Sequence, residues 1–172
     1  MKKNILLILT LLAAVIITVS TSCRKKKLEG DVVDNTELAA QLVSDALDTL
    51  IIDNQKLVLE TELYRDFFPG VPSSSKTNLQ ALVWVVNTDS TLITDRFSIV
   101  KLYVINKSEV WISEPEARND DHIFEYKYHA VSINGPQWDT GIAVDVVVEI
   151  LDLNLNKKWH LIAKNQVIQR IE

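Results

Sequence analysis

The residues of this 172-residue chain with chemistry to offer are few, and the three histidines come first. His122 follows Asp120 and Asp121, and such oxygen and nitrogen donors could serve a hydrolytic or metal site if a fold gathered them. His129 lies seven residues further along what reads as one strand, so alternation sends the two imidazoles to opposite faces. His160 stands beside Trp159 near the C-terminus. No His-Glu-x-x-His spacing and no cysteine pair is present for zinc. Ser73, Ser74 and Ser75 form a polar run without the strained elbow of a hydrolase nucleophile. The four glycines compose neither a phosphate-cradling loop nor a dinucleotide fingerprint. A solvated acidic loop accounts for Asp120–His122, so no catalytic residue, metal or cofactor is expected. A hydrolase using Asp120, Asp121 or His122 is the enzymatic alternative.

Two loops suit binding better than reaction. In Tyr64–Pro72, Phe67 and Phe68 lie between the charged pair Arg65-Asp66 and Pro69. Adjacent aromatics on an extended chain cannot both face one core, so one of them is expected at the surface unless the chain kinks. An aromatic anchor on a proline-stiffened loop is the kind of group that dominates interface energy. The competing reading has both rings plugging the end of the fold while Arg65 pairs with Asp66 or another acid. The second loop, Asn134–Gly141, carries Trp138 between Gln137 and Asp139. Trp138 could stack on a sugar with polar neighbours reaching its hydroxyls, or fold back over a sheet.

The elements that must hold these loops are mostly strands. Asn35-Thr36-Glu37 precedes Leu38, Ala39, Leu42, Val43, Ala46 and Leu47, a helical stripe with a capping residue and an acid at the positive end of the dipole. This spacing predicts one amphipathic helix over residues 36–48. From Thr49 the period changes to two and β-branched residues take over. Strands are expected at 49–52, 55–64, 79–87, 97–105, 109–113, 123–133, 143–151, 158–163 and 166–171. Asp53-Asn54 suits a tight hairpin turn, since both residues tolerate left-handed angles. Val144, Val146, Val148 and Ile150 offer one continuous apolar row, and Leu82, Trp84 and Val86 another. Short strands without intervening helices predict a mainly β fold, an antiparallel two-sheet sandwich over 49–172. In strand number and patterning it resembles immunoglobulin-like domains. The likeness is architectural, since the cysteine pair of antibody domains is missing.

The N-terminus reads as a processing signal. Lys2-Lys3 leads into an apolar run from Ile5 to Val19, then small polar residues Ser20-Thr21-Ser22 and the chain's single cysteine, Cys23. The run is shorter than the ~20 residues of a membrane-spanning helix. Val19-Ser20-Thr21-Ser22-Cys23 resembles the lipobox of bacterial envelope lipoproteins, although Ser20 stands where Leu is commonest. The resemblance implies that residues 1–22 are removed, that Cys23 is acylated, and that 23–35 form a tether to a membrane. Without a cysteine pair, the exported body must rest on its own core.

Of 18 basic and 23 acidic residues, six basic ones precede Leu28, so residues 28–172 carry 12 basic against 23 acidic side chains, a formal −11. Nucleic-acid binding is disfavoured by that balance. Arg24-Lys25-Lys26-Lys27 would lie against anionic headgroups, each charge adding roughly 1 kcal/mol, while the acidic body is weakly repelled and stands off; a solvated linker is the alternative. Surface-exported lipoproteins of some bacteria resemble one another in an acidic motif after the cysteine, and the basic stretch here departs from it, which implies a periplasm-facing position. The expectation is a non-catalytic envelope lipoprotein, a protein-binding or assembly module using Arg65, Asp66, Phe67, Phe68 and Trp138. A glycan-binding lipoprotein using Trp138 is the alternative within the binding class, and an envelope hydrolase the one outside it.

Overall fold

A computed structural model describes residues 30–68, 77–93, 96–118 and 124–172. The export segment 1–22, Cys23, the cluster Arg24–Lys27, the serines at 73–75 and Asp120–His122 lie outside the described residues. The described chain runs β1 (Asp31–Asp34), α1 (Thr36–Asp45), β2 (Leu50–Ile52), β3 (Gln55–Asp66), β4 (Gln80–Asn87), β5 (Phe97–Asn106), β6 (Glu109–Ser113), β7 (Glu116–Ala117), β8 (Lys127–Ser132), β9 (Ala143–Asp152) and β10 (Lys157–Ile171). No helix among the described residues is long and apolar enough to cross a membrane.

These strands form one ten-stranded sheet in the order β1-β6-β5-β9-β10-β3-β4-β8-β7, with β2 also on β3. The sheet curls because β10 belongs to both halves. Its residues Lys157–Val167 pair antiparallel with β9, and Ile168–Ile171 pair parallel with the end of β3. Between Ala163 and Gln166 the register slips, with Asn165 at φ +56 and its N–H donating to Asp145 Oδ1 at 2.9 Å. An extra residue bends and twists a strand, and this bulge turns the sheet over its own core. The chain is therefore mainly β, but an immunoglobulin-like two-sheet sandwich is not confirmed: the strands build a half-barrel of mixed pairing.

Alternation fills that core. Leu57, Leu59 and Leu63 of β3 meet Val144, Val146, Val148 and Ile150 of β9, with Leu102, Val104, Trp111 and Leu161 between. In β4 the phase is opposite to the expected one: Ala81, Val83 and Val85 face the core, while Leu82 and Trp84 are half-exposed. Both rows of β4 are apolar, so alternation alone does not decide the phase. The outward row has its own use, since Trp84 stacks on His129 with centroids 4.9 Å apart and planes 10° off parallel.

On the outer face of β5, β9 and β10, α1 buries Ala39 and Leu42 against Tyr103, Ile105, Val110, Val147 and Ile162. Burying a leucine contributes about 1.5–3 kcal/mol. Asn35 caps the helix, accepting from Leu38 N–H at 2.9 Å. The helix stops at Asp45 instead of residue 48 because Leu47 joins the sheet: its N–H donates to the His160 carbonyl, and its carbonyl accepts from Ile162 N–H, both at 3.0 Å. Asp31–Asp34, expected as the end of the tether, pairs with β6 as β1. The two strands expected at 158–163 and 166–171 are one strand with a bulge.

Candidate functional site

Both binding loops fall at the same end of the half-barrel, and Arg65 joins them. β3 delivers Arg65 to that end with its side chain turned inward. Its Nε donates to the Thr77 carbonyl at 2.6 Å and its Nη2 to Thr77 Oγ1 at 2.8 Å. Nη1 donates to the carbonyls of Gln137 and Trp138 at 3.2 and 2.6 Å. A planar fork suits convergent acceptors of this kind, which a lysine could not match. Arg65 is thus a brace built on carbonyls and a hydroxyl, not the acid-paired residue considered from the sequence.

The aromatics part as alternation requires. Phe67 continues the β3 pairing, its N–H donating to the Ile171 carbonyl at 2.8 Å. Its half-buried ring lies between two guanidinium groups, Arg65 at 5.2 Å and Arg170 at 4.1 Å from the ring centroid. Arg65 and Arg170 are register partners in the parallel pair, and the negative face of a ring between them offsets their like charge. Arg170 also pairs with Glu172 at 2.5 Å. Phe68 is 50% exposed, and its N–H donates to Asp66 Oδ1 at 2.9 Å, so Asp66 shapes the turn that presents the ring.

Trp138 is half-buried against the core, and its indole N–H donates to Glu109 Oε2 at 2.9 Å. The loop around it is fitted to another tryptophan. A Cβ at Gly135 would stand 2.8–2.9 Å from the Trp111 ring, so only glycine allows the loop to close over that indole. Gly141 is a glycine for a backbone reason, at φ +85.

The remaining chemical candidates are dispersed. His129 lies on β8 against Trp84, and His160 on β10 with Nε2 3.5 Å from Glu149 Oε2. No group of three His, Cys, Asp or Glu that could hold a metal occurs among the described residues. A cleft of about 540 Å³ beside α1 is lined by Ala39, Ala40, Val43, Ile105, Lys107 and Asn165, among others. Its Ser44 hydroxyl is bonded to the Gln41 carbonyl and to Asp45 Oδ1.

Glu109 and Arg170 belong to this end without having been picked out by spacing. Arg170 meets Phe67 only through the parallel pairing of β10 with β3, which has no local sequence signal. The arrangement defines a mainly β half-barrel with an aromatic rim braced by Arg65 at one end. Neither a protein-family model, nor a curated protein, nor a solved structure matches the chain.

Proposed function

We propose that this chain is a non-catalytic module of the bacterial cell envelope, anchored through a lipid on Cys23, that holds a protein partner at its Arg65 end. The observation that carries the reading is Phe68, an apolar ring half exposed on a rim braced by the four hydrogen bonds of Arg65. A rim already fixed loses little conformational entropy on binding, and aromatic and arginine side chains supply most of the energy at interfaces. Arg170 adds an exposed guanidinium to the rim, one that an acidic group on the partner would share with Glu172. Trp138 contributes one ring face rather than a free indole, since its N–H is already engaged by Glu109.

The anchor rests on Lys2-Lys3, the apolar run Ile5–Val19 and the lipobox-like Ser20-Thr21-Ser22-Cys23. On this reading residues 1–22 are removed and the acidic domain faces the periplasm. The test is crosslinking capture from native envelopes with the wild type and Phe68→Ser, identified by mass spectrometry. A partner captured by the wild type and lost in a variant of equal thermal midpoint supports the site. Equal capture by two folded proteins overturns it.

A further inference from the structure

The opposite end of the half-barrel has a different surface. Among the described residues, nine large apolar side chains are exposed, and five of them, Ile51, Leu92, Phe124, Leu153 and Leu155, lie at or beside this end. They are carried by the β2–β3 hairpin, the segments at 88–93 and 124–126, and the β9–β10 turn. Hydrogen bonds tie these pieces together. Arg96 bonds both Asp53 and the buried Asp152, and its carbonyl accepts from Leu153 N–H at 2.8 Å. Gln55 Nε2 donates to the Leu92 carbonyl at 3.0 Å, and Ile93 N–H to the Glu125 carbonyl at 2.9 Å. The exposure is large: 70% for Ile51, 62% for Phe124 and 61% for Leu155.

We propose that this end seats on a lipid bilayer, its apolar turn tips entering the headgroup region. Apolar groups on several turns of one braced platform can share a plane, and an interface takes them without a complementary pocket. The charges agree. Lys56 and Lys157 stand exposed beside the tips, with Lys157 Nζ 3.7 Å from the Trp159 ring centroid, and long cationic side chains over aromatic rings suit the headgroup boundary. Arg96 offsets Asp53, and among the described residues of these turns Asp89 and Glu125 are the other exposed acids.

The direction of β1 points the same way. Asp31 is level with Ile112 and Tyr103, and Asp34 with Glu109 and Asn106, so β1 runs away from the Phe97–Asp152 pair that marks the apolar end. The N-terminal end of β1 at Gly30 is therefore the one nearer the apolar side. About five residues of strand, or about 17 Å, separate Gly30 from the Phe97 level. Six residues lie between Cys23 and Gly30 in the sequence, so seven Cα-to-Cα steps give a reach of roughly 25 Å when extended. A lipid on Cys23 can thus share the plane of the tips. The proposal takes its membrane from the anchor reading, but which face a domain tethered at Cys23 turns to lipid is a property of the domain and is measured separately.

The chain from Cys23 onward contains every described residue and a single cysteine. That thiol is coupled to a maleimide-headgroup lipid in nanodiscs of phosphatidylethanolamine and phosphatidylglycerol containing gadolinium-headgroup lipid. Methyl NMR signals are then read residue by residue. Selective loss of signal at Leu92, Leu153, Leu155 and Ile51, with Val33 and Val144 retained, is the expected result. The pattern should disappear in Leu153→Asp/Leu155→Asp of unchanged thermal midpoint. Uniform loss over the domain, or loss centred on another face, overturns the proposal. Intact mass of the natively exported chain reports acylation of Cys23 independently: an unacylated cysteine removes the anchor reading while the nanodisc pattern still decides the seating.

Discussion

Arg65 Nη1 donates to the Trp138 carbonyl at 2.6 Å across 73 residues of sequence, so one side chain fixes the spacing of the two loops that could meet a partner. Removing it leaves the Thr77, Gln137 and Trp138 carbonyls without that donor in a largely buried setting. Each orphaned acceptor costs about 1–3 kcal/mol. Arg65→Met is expected to destabilise by about 3 kcal/mol, read as a lower denaturant midpoint with unchanged slope. Arg65→Lys should recover little of the loss, because an ammonium group lacks the planar fork.

Phe68→Ser is expected to move stability by no more than about 0.5 kcal/mol, as for surface sites generally. Thermal unfolding beside Arg65→Met separates the brace from the ring it presents.

Gly135→Ala would bring a methyl group to within 2.9 Å of the Trp111 ring. Overpacking of this kind costs about 1–3 kcal/mol. Trp111 is fully buried, so the ring cannot swing into solvent. Combining Gly135→Ala with Trp111→Phe should destabilise by less than the sum of the single changes, and a double-mutant cycle of chemical denaturation measures that coupling.

Asp152 is expected to make part of the fold's stability depend on acid pH. Hydrogen bonds from Arg96, reinforced by backbone N–H groups of Leu155 and Asn154, hold its carboxyl at about 2 against an ordinary 3.8. A carboxyl depressed in the folded state contributes stability that is fully present above its unfolded value and is lost as pH falls through the folded one. The contribution should therefore fade between about pH 4 and about pH 2. In Asp152→Asn the slope of stability against pH in that window should be shallower, as urea titrations at successive pH values would show.

Asn165 is the hinge of β10, at φ +56. Asn165→Val should cost about 1–2 kcal/mol because left-handed backbone crowds a Cβ, and more so a branched one. Asn165→Gly should be nearly neutral. A Val variant as stable as the wild type, by thermal unfolding, would show that the bulge can relax without it.

Much of the local order was legible in the residues, and the reasons are local. Asn35 at the head of an apolar stripe marked α1, and Asp53-Asn54 marked a turn that takes φ +50 and +66. The row Val144, Val146, Val148 and Ile150 faces the core because Asp145 and Glu149 alternate with part of it and fix the phase. β4 has no such polar marker over Ala81–Val86, and its phase was open. β1 was hidden in a short acidic stretch, where pairing with β6 and not local propensity makes the strand. The tip residues Leu153 and Leu155 alternate with asparagines and look like ordinary turn composition until other turns are brought beside them. Of the Arg65 end, the two loops could be picked out by composition, but their junction could not, since hydrogen bonds between residues 65 and 138 have no periodic signature.

The shared strand β10 also sets the order in which the molecule can assemble. Thr61 Oγ1 and Gln166 Oε1 meet at 2.9 Å across 105 residues of sequence. Closing so long a segment costs chain entropy before any contact returns it, and non-local pairing of this kind slows folding. The β3–β4 and β5–β6 hairpins can form as the chain emerges, but β3 has no partner on its β10 side until the last strand arrives. A chain threaded through a membrane N-terminus first would therefore stay open along that seam until its final residues had crossed.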